Sequence, residues 1–291
     1  MRLGGEPESS NFEDRTGQSG GGFGGGGGGF GLLLGLVGSR FGIVGILALL
    51  LGYCALTSLG GLGGGGGITG GGSKSGESQL DANTRTLLVR VLGSTEETWG
   101  EIFQKAGAQY QPTTLVAYSD SNQSGCGAAQ AAMGPFYCPT DKKIYIDPKF
   151  FNELSQRFGA PGDFAMAYVI AHEVGHHVQD LEGTLDRAQQ AQQSVGTAQG
   201  NQIQVGIELQ ADCYAGVWAA NARDSQGSIL EPGDVEEGMR AAEAIGDDKL
   251  QQQAQGRVVP DSFTHGSSAQ RMEALRRGMQ SGNPSACNYA R

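Results

Sequence analysis

The stretch AHEVGHHVQ, residues 171–179, limits this chain more than any other. It holds three of the four histidines among 291 residues: His172, His176 and His177. Residues 164–182 around it contain no proline, and Ala165, Met166, Val169, Ile170 and Val174 make the flanks apolar. Such a run predicts a helix inside a core. His172 and His176 are four apart and share one face of that helix. Together with Glu173 they form H-E-x-x-H, a pattern in which two imidazoles reach one zinc ion and the glutamate serves as general base toward a water. His177 follows directly after His176 and points elsewhere. The competing reading is a pair of hydrogen-bonded helix histidines, so the rest of the chain has to decide.

A catalytic zinc ion needs a third protein ligand and one open position. One arrangement puts that ligand ten residues after the first histidine, where this chain has Glu182. The glycine that would turn the chain is replaced by Gln179, so the helix carries Glu182 away. The better candidate lies in ELQADCYAG, residues 208–216. Glu208 and Asp212 are four apart on a predicted helix. Glu208 can bind zinc, and Asp212 can accept the second N–H of a ligand histidine. Ala211, Cys213, Ala215 and Trp218 argue against a merely solvated face. Two histidines and one carboxylate form a set that activates water for hydrolysis. His265, in THGSSAQRM, is the expected donor to a tetrahedral oxyanion, and Arg271 could anchor a carboxylate or orient the site.

The remainder divides into segments. Of the first 73 residues, 28 are glycine. Residues 1–40 read as a glycine-rich, disordered cytoplasmic segment, and residues 41–59 are uncharged and mostly apolar. Nineteen helical residues span ~28 Å, about one hydrocarbon core, so a transmembrane helix is expected there. Arg40 precedes the run and the next positive residue is Lys74, which places the N-terminus in the cytoplasm and the C-terminal domain in the periplasm or outside the cell. Residues 60–79 read as a Gly/Ser-rich linker, and residues 80–291 as one folded domain. From Lys74 onward the net charge is −9, which argues against nucleic acid as a partner. Four cysteines, Cys126, Cys138, Cys213 and Cys287, lie in the domain and fit disulfides in an oxidising compartment. Of three pairings, Cys126 with Cys138 is favoured by the hairpin-like loop between them, which leaves Cys213 for Cys287.

The domain reads as α+β. Residues 81–105 predict one helix, or two broken at Gly93 and Ser94. Residues 113–119, GPFYC and KKIYID predict a small antiparallel sheet. Helices are expected after Pro148, after Asp163, from Thr184, over 202–223, after Pro232 and over 267–280.

H-E-V-G-H, then E-L-Q-A-D, then H-G-S-S-A-Q-R-M resembles the gluzincin plan of zinc peptidases. That resemblance implies His172, His176 and Glu208 as ligands, Asp212 behind them, and His265 at the transition state. The spacing of His265 and Arg271 resembles that of membrane-associated gluzincins, with Gly266 where proline usually follows the histidine. Over nearly the whole chain, SSNFEDRTG, the apolar run, CGAAQAAMGPFYCPTDKKIYID, AHEVGHHVQ and ELQADCYAGVWA resemble the bacterial neutral zinc metallopeptidase family. The resemblance implies a zincin-like domain and a membrane-anchored metalloendopeptidase with one Zn2+ and a peptide or protein substrate. GPFYCP or KKIYID would be the edge strand that pairs with it. The alternative is a non-catalytic, membrane-tethered binding module with a structural metal.

Overall fold

The computed structural model describes residues 1–18 and 78–290. Its elements run in the order β1 (Phe12–Arg15), α1 (Ala82–Lys105), β2 (Thr114–Tyr118), β3 (Ser121–Ser124), β4 (Gly127–Gln130), β5 (Phe136–Cys138), β6 (Lys143–Ile146), α2 (Lys149–Gln156), α3 (Asp163–Leu181), α4 (Thr184–Gln193), α5 (Thr197–Asn221), β7 (Arg223–Asp224), β8 (Gly227–Ser228), α6 (Asp234–Ala244), α7 (Asp247–Gln255) and α8 (Ser268–Ser281). The class is α+β, as expected.

Helix α3 is the centre of the molecule. Residues 167–175 are buried without interruption, so α3 is enclosed all round rather than amphipathic. It packs against α1, α5, α6 and the strands β5 and β6. The second half of α5, from Ile207 to Ala219, is equally buried. The two helices meet at Gly175, where a Cβ would lie 2.9 Å from Ala211 O and 3.0 Å from its Cα. Only glycine permits that approach, and it sits between the two histidines of interest.

The main sheet has the order β1-β2-β6-β5. β1 with β2 and β2 with β6 are parallel, and only β5 with β6 is antiparallel. The expected antiparallel sheet is therefore corrected to a mixed one. A short turn joins β5 to β6, whereas β1 comes from the N-terminal segment, far in sequence from its partner β2. Disulfides join Cys126 to Cys138 and Cys213 to Cys287, the favoured pairing. α1 runs unbroken through Gly93 and Ser94. Gly93 is where the N-terminal segment crosses, and its Cβ would lie 2.1 Å from Pro7 O.

The N-terminal residues overturn the expected topology. Residues 1–18 are not a disordered arm. Phe12 pairs with Leu115 and Arg15 with Tyr118. The Met1 amino group lies 2.8 Å from Asp163 and 3.3 Å from Asp234, and Arg2 N–H donates to Ile229 O at 2.8 Å. Gln79 N–H donates to Thr16 Oγ1 at 3.0 Å, so residues 16 and 79 meet. A single crossing between them would put hydrogen-bonded strands on opposite sides of a bilayer. No helix among the described residues is long and apolar enough to cross a membrane. The helix expected at 41–59 and most of the linker lie outside the described residues. The reading of a single-pass protein with a cytoplasmic N-terminus and an outer domain is therefore withdrawn.

Two outcomes follow from this packing. Deleting residues 2–16 removes β1 and the cover over Gly93, and should lower the thermal midpoint of the remaining domain by several degrees or more in a melting experiment. Gly175→Ala forces α3 and α5 apart and should cost about 1–3 kcal/mol in denaturant unfolding.

Candidate metal centre

Helix α3 presents His172 and His176 one turn apart, and α5 presents Glu208 opposite them. His172 Nε2 lies 3.2 Å from His176 Nε2. Glu208 Oε2 lies 3.2 Å from His172 Nε2 and 3.5 Å from His176 Nε2. Tetrahedral zinc with bonds of ~2.0–2.1 Å sets neighbouring ligand atoms about 3.3–3.4 Å apart. The three atoms therefore fit one ion with a fourth position left over. These residues also form a possible metal-binding group. The carboxylates here favour positive charge on the neighbouring rings. Burial opposes ionisation of Glu208, but the His176 and His265 charges outweigh it and hold its carboxyl well below the usual range. Burial likewise opposes a charged His172, yet Asp212 and Glu208 draw its pKa up to about 10.

Each of these side chains is held by another. His172 Nδ1–H donates to Asp212 Oδ1 at 2.7 Å, which leaves Nε2 for a metal. Asp212 is fully buried and also accepts from Tyr168 Oη at 2.6 Å, Arg271 Nε at 2.8 Å and Arg271 Nη2 at 2.9 Å. Burial opposes its ionisation, but Arg271 and His172 hold its carboxyl far below the usual range. Arg271, on α8, thus anchors the carboxylate behind His172. His176 Nδ1 meets Gln179 Oε1 at 2.9 Å, and Gln204 Nε2 donates to Glu208 Oε1 at 3.0 Å. Sequence reasoning missed Tyr168, Gln179 and Gln204. For two of them the signal was helical spacing: Gln204 lies four residues before Glu208 and Gln179 three after His176, whereas Tyr168 reaches Asp212 on a different helix.

Glu173 is buried beside the ligands, and its carboxyl pKa is raised, chiefly by that burial. His265 lies on the loop between α7 and α8, close enough to Glu208 for each to shift the other's charge balance. Asp247 builds that loop. It accepts from the backbone N–H of Thr264, His265 and Gly266 at 2.7, 2.6 and 3.1 Å, and its other oxygen lies 3.3 Å from His265 Nδ1. Gly266 has φ +94°, in the left-handed region. Proline, with φ fixed near −65° and no N–H, could neither adopt this turn nor donate to Asp247. His177 faces away from the ligand atoms, as expected, but it is engaged. Its Nε2–H donates to Gln111 O at 2.6 Å, and Nδ1 lies 3.0 Å from Tyr137 Oη. Glu182 caps α3 and accepts from Tyr214 Oη at 2.8 Å, away from the cluster.

The chain matches, over residues 1–290, the family described as "Putative neutral zinc metallopeptidase". It is 48% identical to the uncharacterized protein YpfJ of Escherichia coli (strain K12), over 99% of this chain and 98% of that relative. It is 43% identical to the uncharacterized proteins Mb2605 of Mycobacterium bovis and Rv2575 of Mycobacterium tuberculosis, over 72% of each chain. No solved structure matches it. The family implies zinc, and the His172, His176 and Glu208 atoms fit it. With the match spanning nearly its full length, the chain belongs to this family of zinc metallopeptidases.

Proposed function

We propose that the protein is a zinc-dependent metalloendopeptidase of gluzincin type. The observation that carries this reading is the convergence of two imidazole nitrogens and one carboxylate oxygen within 3.2–3.5 Å, with a buried glutamate adjoining them. His172, His176 and Glu208 would hold Zn2+, which when bound supplies Lewis acidity that polarises a carbonyl and acidifies water. Glu173 takes a proton from the attacking water and returns it to the leaving amine. His265 donates to the oxyanion of the tetrahedral intermediate. Asp212, Tyr168 and Arg271 keep His172 in the tautomer that leaves Nε2 unprotonated.

The substrate is a peptide or protein bound in extended form. β6 lies between β2 and β5, so KKIYID has both edges paired and does not suit strand addition. β5 has a partner on one side only among the described strands, so GPFYC is the better candidate for pairing with a peptide. Tyr137 on β5 donates to Asp180 on α3 at 2.8 Å, which fixes that edge against the helix bearing the ligands.

The rival reading is a binding module with a metal but no turnover. Glu173→Gln distinguishes the two. The variant should keep zinc at the wild-type stoichiometry and lose at least about 100-fold in cleavage of a peptide library. Undiminished cleavage would rule out this mechanism, and a zinc-loaded wild type that cuts nothing would favour the module. His265→Ala should lower kcat by roughly 100- to 1,000-fold with zinc content unchanged, measured on whichever peptide the wild type cleaves.

A further inference from the structure

We infer that Gln179 is a positioning residue that dictates which nitrogen of His176 is free to bind metal, and that a one-way chain of amides ending at the Cys287 carbonyl fixes Gln179 in turn. The inference rests on the metal-binding reading above and adds to it the source of the His176 tautomer.

The chain has four links. His176 Nδ1 lies 2.9 Å from Gln179 Oε1. Gln179 Nε2 donates to Ile207 O at 2.8 Å and to Gln210 Oε1 at 2.9 Å. Gln210 Nε2 donates to Cys287 O at 2.9 Å. Gln179 and Gln210 are buried, and Cys287 is bonded to Cys213, which follows Gln210 by three residues on α5.

The direction of each link follows from the last. Cys287 O can only accept, so the NH2 of Gln210 must face it and the oxygen of Gln210 must face Gln179. Gln179 then meets two acceptors, Ile207 O and Gln210 Oε1, and must turn its own NH2 toward them. Reversing it would oppose oxygen to oxygen twice in a buried site, at about 1–3 kcal/mol for each lost partner. The oxygen of Gln179 therefore faces His176, and His176 Nδ1 must carry the proton. That leaves the Nε2 lone pair aimed at the point where His172 Nε2 and Glu208 Oε2 converge. With Gln179 reversed, Nε2 would carry the proton and could not ligate. His172 is set by a carboxylate, Asp212, whereas His176 is set by a neutral relay that adds no charge to the site.

The test is zinc affinity, measured by chelator competition on the full-length protein, with melting temperatures in chelator as the check on folding. Gln179→Met removes the acceptor while keeping the volume, and should weaken zinc roughly 10–100-fold. Gln179→Glu keeps an acceptor for His176 but sets a carboxylate oxygen against Ile207 O and Gln210 Oε1, so it should melt lower than the wild type yet bind zinc more tightly than Gln179→Met. A role in packing alone predicts the opposite order, since methionine suits an apolar site better than a carboxylate. Gln210→Met should weaken zinc several-fold, and carries the test if Gln179→Met does not fold. Gln179→Met binding within threefold of wild type would overturn the inference. Gln210→Met binding like wild type beside a weakened Gln179→Met would overturn the part assigned to Cys287. A wild type that takes up no zinc would instead remove the metal reading on which both rest.

Discussion

The Asp212–Arg271 pair is the contact on which the rest of the centre depends. Both side chains are withdrawn from water, so each charge must be met inside the protein. Asp212 comes from α5, Arg271 from α8, and the Tyr168 and His172 that also bind Asp212 come from α3. One carboxylate thus joins three helices, and removing either partner of such a pair typically costs about 3–5 kcal/mol. Arg271 also donates to Ile245 O at 3.2 Å, at the end of α6. Two residues later Asp247 gathers the N–H groups of the loop carrying His265. The proposed oxyanion donor is therefore tied to the same carboxylate that orients His172, through a path of hydrogen bonds and two residues of backbone.

Close approach makes that arrangement reachable. With Gly175 against the Ala211 backbone, α3 and α5 lie near enough for Glu208 and Asp212, one turn apart on α5, to flank His172 from both of its nitrogens. A larger residue at 175 would widen the crossing at the point where the His172, His176 and Glu208 atoms converge. Chain flexibility cannot recover this, because both helices are buried over the stretch concerned.

What the sequence made legible was local. His172 with His176, and Glu208 with Asp212, are each four apart on a helix, and helical spacing alone aligns them. Asp212 meets His172 and Arg271 meets Asp212, contacts that the E-x-x-x-D spacing and the later arginine had made candidates. What it concealed depended on pairing between distant residues. Phe12–Arg15 is FEDR, too polar and too short to read as a strand, and it becomes one only beside residues 115–118. Reading residues 41–59 by hydropathy alone then separated two segments that the fold joins at Thr16 and Gln79. Helix α7, DDKLQQQAQ, has almost no apolar stripe; its place follows from Asp247 and Gln251, whose partners lie at residues 259–266. Gln179 was noticed only as the absence of a turn-forming glycine, although keeping the helix straight is what brings its amide to His176.

The charges explain why the cluster suits a divalent ion rather than a structural salt bridge. Asp212 is matched by Arg271, so its charge is spent within the protein. Asp247 is matched by backbone N–H groups and shares the His265 ring with Glu208, the two carboxylates raising its pKa although burial opposes it. Gln179 and Gln204, which hold His176 and Glu208, are neutral. Glu208 is the carboxylate at the convergence point, paired there with histidines rather than with an arginine or lysine among the described residues, and Glu173 adjoins it in surroundings that disfavour its charge. A dication bound there would meet one full carboxylate and two neutral imidazoles, retaining net positive charge. That residual charge is what a Lewis acid needs in order to polarise a carbonyl. Four anionic ligands would quench it, and the use of glutamine rather than glutamate at 179 and 204 keeps the surrounding shell from doing the same.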